Sequence, residues 1–242
     1  MLLLAIESSG LVASVAVMSD DTLLGEFTTN FKKTHSQTLL PMLDCLVSTL
    51  GLELSDIDAI AVAKGPGSFT GLRIGAATAK GLGLALDKPI IAVPTVDAIA
   101  YNLYGTDKLI CPMMDARRSQ VYTGIYTFKA GEFVTVLPQA AMGVSEIIEK
   151  INQLGRDVLF LGDGIPVYAS YISEHAKVPY QFVPPHVSRQ RSGALAALAK
   201  LYWEAGNIEN ADEHIPEYLR MSQAERERME RESSAEKDAG GR

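Results

Sequence analysis

Short apolar runs and longer stretches of helical spacing alternate along this chain. Residues 2–6, 11–17 and 22–29 read as three strands, rich in aliphatic, small or strand-forming side chains, with Asp20-Asp21 turning the second into the third. Residues 36–50 switch to helical spacing, with Leu39, Met42, Leu43, Leu46 and Leu50 on one side and Leu40 and Val47 widening the apolar arc. Residues 57–63 form a buried type of strand, followed by a glycine turn and a helix to Leu86. A short strand at 89–93 and a helix at 95–103 close the first half.

The second half repeats that order. Residues 109–114, 120–128 and 132–136 read as strands, 144–154 as a helix and 158–161 as a strand. "LGDGIP" then opens another helix, before a strand at 181–183 and a helix at 192–205. Glu7 and Asp115 fall in corresponding places, each just after the first strand of its half. Hairpins followed by strand–helix units predict mixed sheets covered by helices, hence an α/β protein of two duplicated lobes. This order resembles the actin, Hsp70 and sugar-kinase superfamily, which implies a ribonuclease H-like fold and an ATP site between lobes. The expected division is an N-terminal lobe at 1–104, a C-terminal lobe at 105–221 and a charged tail at 222–242.

Charge narrows the partners. The net charge is −7; the tail carries five basic and six acidic residues, leaving 17 basic and 23 acidic in the body. Nucleic-acid affinity rests on neutralising phosphates, so an acidic body is a poor RNA binder by itself. Two cysteines give no disulfide framework or Cys-based zinc site. The start lacks a basic leader region, and no apolar run approaches the ~18 residues of a membrane-spanning helix. A cytoplasmic protein without membrane attachment is expected.

The glycine turn at 64–71, "KGPGSFTG", asks whether the chain holds a phosphate. The P-loop spacing fails, because Thr70 and Leu72 stand where a second glycine would fall. The dinucleotide fingerprint also fails, with Thr70 in place of its third glycine. A strand, a turn and a helix N-terminus remain, whose free N–H groups and Ser68 and Thr70 hydroxyls either meet an anion or cap the helix. Glu7, Gly65, Gly67, Ser68 and Asp115 are therefore the candidates for a nucleotide site. Glu7 and Asp115 either hold a magnesium ion through water or simply satisfy turn N–H groups. The segment around Ser68 is one residue too long for a nucleophile elbow. His35, His175, His186 and His214 show no metal-ligand spacing, and His35 suits a helix cap or the surface.

The helix after the turn is unusually small-faced. Gly71, Gly75, Ala79 and Gly83 recur every four residues, and Arg73, Ala77, Gly81 and Ala85 form the neighbouring row. Interior glycines cost roughly 1 kcal/mol each relative to alanine, so Gly75, Gly81 and Gly83 need about 2–3 kcal/mol of close packing to offset them. Two helices with more apolar and small surface than one contact needs predict a second contact, outside the protomer.

"LLAIESSGLVASVAV", "THSQTLLPML", "AVAKGPGSFTGLRIGAATAKGLGLAL", "MMDARRSQVYTGIY" and "PEYLRMSQAE", in this order, resemble the TsaB (YeaZ) family through about Glu225. The resemblance implies a role in making threonylcarbamoyladenosine in tRNA, beside the anticodon, as the non-catalytic partner of a TsaD-type paralogue. It implies a TsaE-type ATPase as third member, self-association as a homodimer when the paralogue is missing, and contact with tRNA only through the complex. The interface it implies lies on the helices at 36–50 and 71–86, with Leu39, Met42, Leu43, Leu46, Gly71, Ile74, Gly75, Thr78 and Leu82. TsaD-type transferases carry a metal-binding H-x-x-x-H after the strand matching 90–93. Here that segment is Thr95-Val96-Asp97-Ala98-Ile99-Ala100, without histidine, so no metal and no catalytic residue is expected, and the family's older peptidase label fails likewise. The chain is expected to need no cofactor, ATP or ADP being left to the complex. One departure is Glu7, where the relatives usually carry Asp; the extra methylene would displace a phosphate-linked ion by about an ångström. The rival expectation is a free-standing ATP-dependent kinase or hydrolase of the same superfamily.

Overall fold

The computed structural model describes residues 1–31 and 34–220. The tail expected at 222–242 lies outside the described residues. The first half runs β1 (Leu2–Glu7), β2 (Ala13–Ser19), β3 (Thr22–Thr29), α1 (His35–Leu50), β4 (Ala59–Gly65), α2 (Phe69–Leu86), β5 (Ile90–Pro94) and α3 (Thr95–Tyr101). The second half repeats it as β6 (Leu109–Asp115), β7 (Gln120–Lys129), β8 (Glu132–Gly143), α4 (Val144–Leu154), β9 (Val158–Leu161), α5 (Ile165–His175), β10 (Tyr180–Phe182) and α6 (Ser192–Glu204).

Each half builds a five-stranded sheet of the same order, β3-β2-β1-β4-β5 and β8-β7-β6-β9-β10. The first three strands of each pair antiparallel and the rest parallel. The two faces of the first sheet differ because side chains alternate along a strand. Leu4, Ile6, Val15, Val17, Ile60 and Val62 face α1 and α2, whereas Leu3, Ala5, Ala16, Ala59, Ala61 and Ala63 face the other way. That second face is alanine-rich, which lets a helix lie close upon it.

The helix that does so is α6, through Leu195, Leu198 and Ala199. Reciprocally, α3 packs Val96, Ile99 and Ala100 against Ile110, Met114, Tyr126 and Phe128 of the second sheet. Each half's last helix thus completes the other half's core, so the expected boundary at residue 104 does not separate two self-contained lobes. The crossing is fixed by caps supplied in trans. Gly193 N–H donates to Glu26 Oε1 at 3.1 Å and Ser192 N–H to Ser14 Oγ at 3.0 Å, while the Arg191 guanidinium pairs with the buried Glu26 carboxylate. At the pseudo-equivalent end, Val96 N–H donates to Gln139 Oε1 at 3.4 Å.

Two strands depart from the sequence pattern. β2 begins at Ala13 rather than Leu11, which sits 68% exposed in the preceding turn. β8 runs on from the expected residue 136 to Gly143, through Leu137, Pro138 and Gln139. As an edge strand it tolerates proline, and a register shift between Leu137 and Ala140 frees Gln139 to reach Val96 and the carbonyl of Gly65. After α6, residues 208–220 run back along the first half: Ile90 and Glu209 exchange backbone bonds at 2.9 Å, and Glu217 N–H donates to Lys64 O at 2.6 Å.

Candidate functional site

The candidate residues gather around one loop, residues 8–10, which joins β1 to β2 between an apolar groove and the inter-lobe cleft. The cleft, about 330 Å³, is lined by Ser9, Gly10, Gly67, Ser68, Asp115 and Asp163, with Arg117 and Tyr122 at its sides. Asp115 Oδ1 accepts from Arg117 N–H at 2.9 Å and from the Tyr168 hydroxyl at 3.1 Å. Arg117, Arg118 and Ser119 follow with φ of 64°, 55° and 56°. Three successive left-handed residues store roughly 1–2 kcal/mol each.

The structure brings Gly67, Ser68 and Asp115 together in the cleft, but not Glu7. Glu7 is 1% exposed, and its Oε1 accepts the Ser9 N–H at 2.6 Å. Burial pushes its carboxyl up to about 7, with hydrogen bonding from Ser9 pulling the other way. The turn reading of Glu7 therefore describes its geometry. Gly65, at φ +119°, has the carbonyl of Glu217 where a side chain would stand. A Cβ on Gly67 would overlap the Ser9 carbonyl, which itself accepts from Ser68 N–H at 2.6 Å. Ser68 caps α2, its Oγ accepting from Gly71 N–H at 3.3 Å. The glycine turn packs against its own chain, with the Ser68 hydroxyl used as a helix cap.

The second feature is a groove of about 470 Å³ between α1 and α2. Leu39 forms its floor; Leu40, Ile74, Ala77, Thr78 and Leu82 form its walls, with His35 at one end and Gly81 at the rim. Leu40 and Leu84 are 53% and 62% exposed. Of the nine residues expected on this interface, Leu39, Leu43, Leu46, Gly71 and Gly75 are buried. This corrects the expectation for Leu43, Leu46, Gly71 and Gly75, which do not line the groove, whereas Leu39 does; the three leucines pack on β1, β2 and β4, each burial contributing roughly 1.5–3 kcal/mol. A Cβ on Gly71 or Gly75 would overlap the Ser8 carbonyl or hydroxyl, and one on Gly83 would crowd Ala211. The row Gly71-Gly75-Ala79-Gly83 thus meets the protomer's own β1–β2 loop and C-terminal segment, and touches α1 through His35 at Gly71. Ile74, Thr78 and Leu82 remain on the groove, and Met42 lines an adjoining cavity of about 690 Å³ toward β3.

Exposure falls instead on the neighbouring row, Arg73, Ala77, Gly81 and Ala85. Gly81 differs from the buried glycines: among the described residues, a Cβ there meets no heavy atom within 4 Å beyond its own helix turn. Sequence spacing grouped both rows as small; only burial separates them. His35 was also missed, because its Nε2 bonds the Gly10 carbonyl at 2.8 Å across 25 residues, which no local pattern signals.

Two repeats of one mixed sheet, exchanging their last helices across a cleft, define a protein of the actin/Hsp70/sugar-kinase class. Comparison with known proteins resolves it further. The family model described as "TsaD: tRNA N6-adenosine threonylcarbamoyltransferase" matches residues 22–228. The Bacillus subtilis "tRNA threonylcarbamoyladenosine biosynthesis protein TsaB" is 36% identical over 93% of this chain and 96% of its own length. The Escherichia coli protein of the same name is 33% identical over 68% of this chain and 72% of its own. The solved YeaZ from Pseudomonas aeruginosa superposes with a TM-score of 0.75 at 28% identity, covering 90% of this chain and 99% of that one. The chain belongs to the TsaB (YeaZ) family, within the broader family of TsaD-type proteins. No helix among the described residues is long and apolar enough to cross a membrane.

Proposed function

We propose that this chain is a non-catalytic partner subunit. It pairs with a TsaD-type paralogue through the α1–α2 groove and is required for forming threonylcarbamoyladenosine beside the anticodon of tRNA. The observation that carries this is the open groove rimmed by Gly81. An interior helix glycine costs about 1 kcal/mol relative to alanine, and no described residue occupies the space it leaves. A partner helix approaching backbone to backbone would offset that cost. The names of the TsaB relatives support the pathway.

A TsaE-type ATPase joins the pair, ATP or ADP belongs to the complex rather than to this chain, and tRNA is reached through the complex. Without the paralogue, two copies associate by the same face. The setting is the cytoplasm. The rival kinase or hydrolase reading needs Glu7, Asp115 and the glycine turns at Gly65–Gly67 and Gly162–Gly164 to converge on phosphates. Glu7 is instead buried against Ser9, and Gly65 and Gly67 are closed by Glu217 and Ser9.

Sedimentation of the chain mixed with its TsaD-type paralogue tests the proposal. Gly75→Arg would drive a side chain into Ser8 and unfold the site, so Gly81→Arg is the informative variant. A one-to-one complex lost in Gly81→Arg supports pairing through this face. Separate sedimentation of the wild type, even with ATP and the TsaE-type protein, overturns it.

A further inference from the structure

We propose that His35 is the positioning residue of the α1–α2 groove, holding the first turn of α1 against the same loop that fixes the first turn of α2. This rests on the docking role proposed above and deepens it.

Residues 8–10 make three ties in succession. The Ser8 hydroxyl donates to Gly71 O at 2.9 Å, and Ser9 O accepts from Ser68 N–H at 2.6 Å; both hold α2. Gly10 O bonds His35 Nε2 at 2.8 Å, which holds α1. A carbonyl only accepts, so Nε2 carries the hydrogen. Among the described residues, the other side-chain bonds of α1, from Thr38 to Thr34 and from Thr49 to Cys45, stay within the helix and its cap.

The imidazole is also a spacer. Its Cδ2 lies 3.3 Å from where a Cβ on Gly71 would stand, so the ring of α1 rests against the bare backbone of α2. Leu39, Leu43 and Leu46 seat α1 on the sheet, by an apolar burial that is itself non-directional. A hydrogen bond has a direction. His35 therefore sets the lateral position of α1 at the end of the groove that it lines.

The test compares the full chain with His35→Phe, which keeps a ring and removes the donor, and His35→Gln, which keeps an N–H donor of similar reach. Two quantities are measured: affinity for the TsaD-type paralogue, and amide hydrogen exchange of residues 36–40 and 69–73 in the isolated chain. His35→Phe should bind about ten-fold more weakly, the loss of one partly buried hydrogen bond, and exchange faster in α1 and α2. His35→Gln should recover to within about three-fold of wild type. Wild-type affinity in His35→Phe, or no recovery in His35→Gln, overturns the proposal. So does weaker binding with unchanged exchange, which would make His35 a direct contact instead. Should the wild type fail to bind the paralogue, the docking reading falls, and exchange alone decides the positioning role by the same criteria. If the phenylalanine variant does not fold, His35→Leu replaces it in the same comparison.

Discussion

Replacing Gly81 by alanine should make the isolated chain more stable and its complex weaker. The added Cβ meets no heavy atom within 4 Å, so the helix-propensity gain of roughly 0.5–1 kcal/mol is realised in full. For a chain of this length that raises Tm by about 1–4 °C. The same change at Gly75 should do the opposite. Its Cβ would overlap the Ser8 hydroxyl, which is buried and bonded to the Gly71 carbonyl. Breaking that bond or pushing α2 off the sheet costs about 1–3 kcal/mol. The two variants should therefore differ by about 1.5–4 kcal/mol in urea unfolding followed by circular dichroism. In the complex, a methyl on the rim holds the partner backbone away, and binding should weaken about ten-fold. A destabilised Gly81→Ala would refute the open-space argument. A stabilised Gly81→Ala that binds its paralogue like wild type would refute close approach as the reason for the glycine.

Two further outcomes are expected. Burial raises the Glu7 carboxyl from 4.5 to about 7, so the folded chain keeps a proton that the unfolded chain releases between those values. Stability should fall as pH rises through that window, by roughly 3 kcal/mol from this group. Glu7→Gln should flatten that part of the pH profile, and wild-type and variant profiles that stay parallel from pH 5 to 8 contradict the assignment. Glu26→Ala removes the carboxylate that caps α6 and pairs with Arg191, and should destabilise by about 2–3 kcal/mol. Glu26→Gln, which keeps an acceptor, should lose less than half of that; a loss below about 0.5 kcal/mol in Glu26→Ala would show that the cap is dispensable.

Much of the architecture was legible in the sequence because strand and helix periods are local properties. The helix 144–154 and the strands 22–29 and 158–161 fall where the pattern places them. The repeat was visible as an order of elements although few residue identities recur. The end of β8 was not, since Leu137-Pro138-Gln139-Ala140 has weak strand character and gains its pairing from β7. In the candidate site, Gly67, Ser68 and Asp115 do share the cleft, while Glu7 turns beneath it.

The sequence by itself determined the two α/β repeats, the absence of phosphate-loop spacing and a small-faced α2, because each depends on residues within one turn or strand of each other. The tertiary structure alone decided that α3 and α6 exchange sheets, since an amphipathic helix records that it is buried but not against what. It also decided which row of α2 meets Ser8 and Ala211 and which meets solvent. Both rows are small for different reasons. One is crowded by the protomer's own residues, and the other is left open, so only the packed chain could tell Gly75 from Gly81.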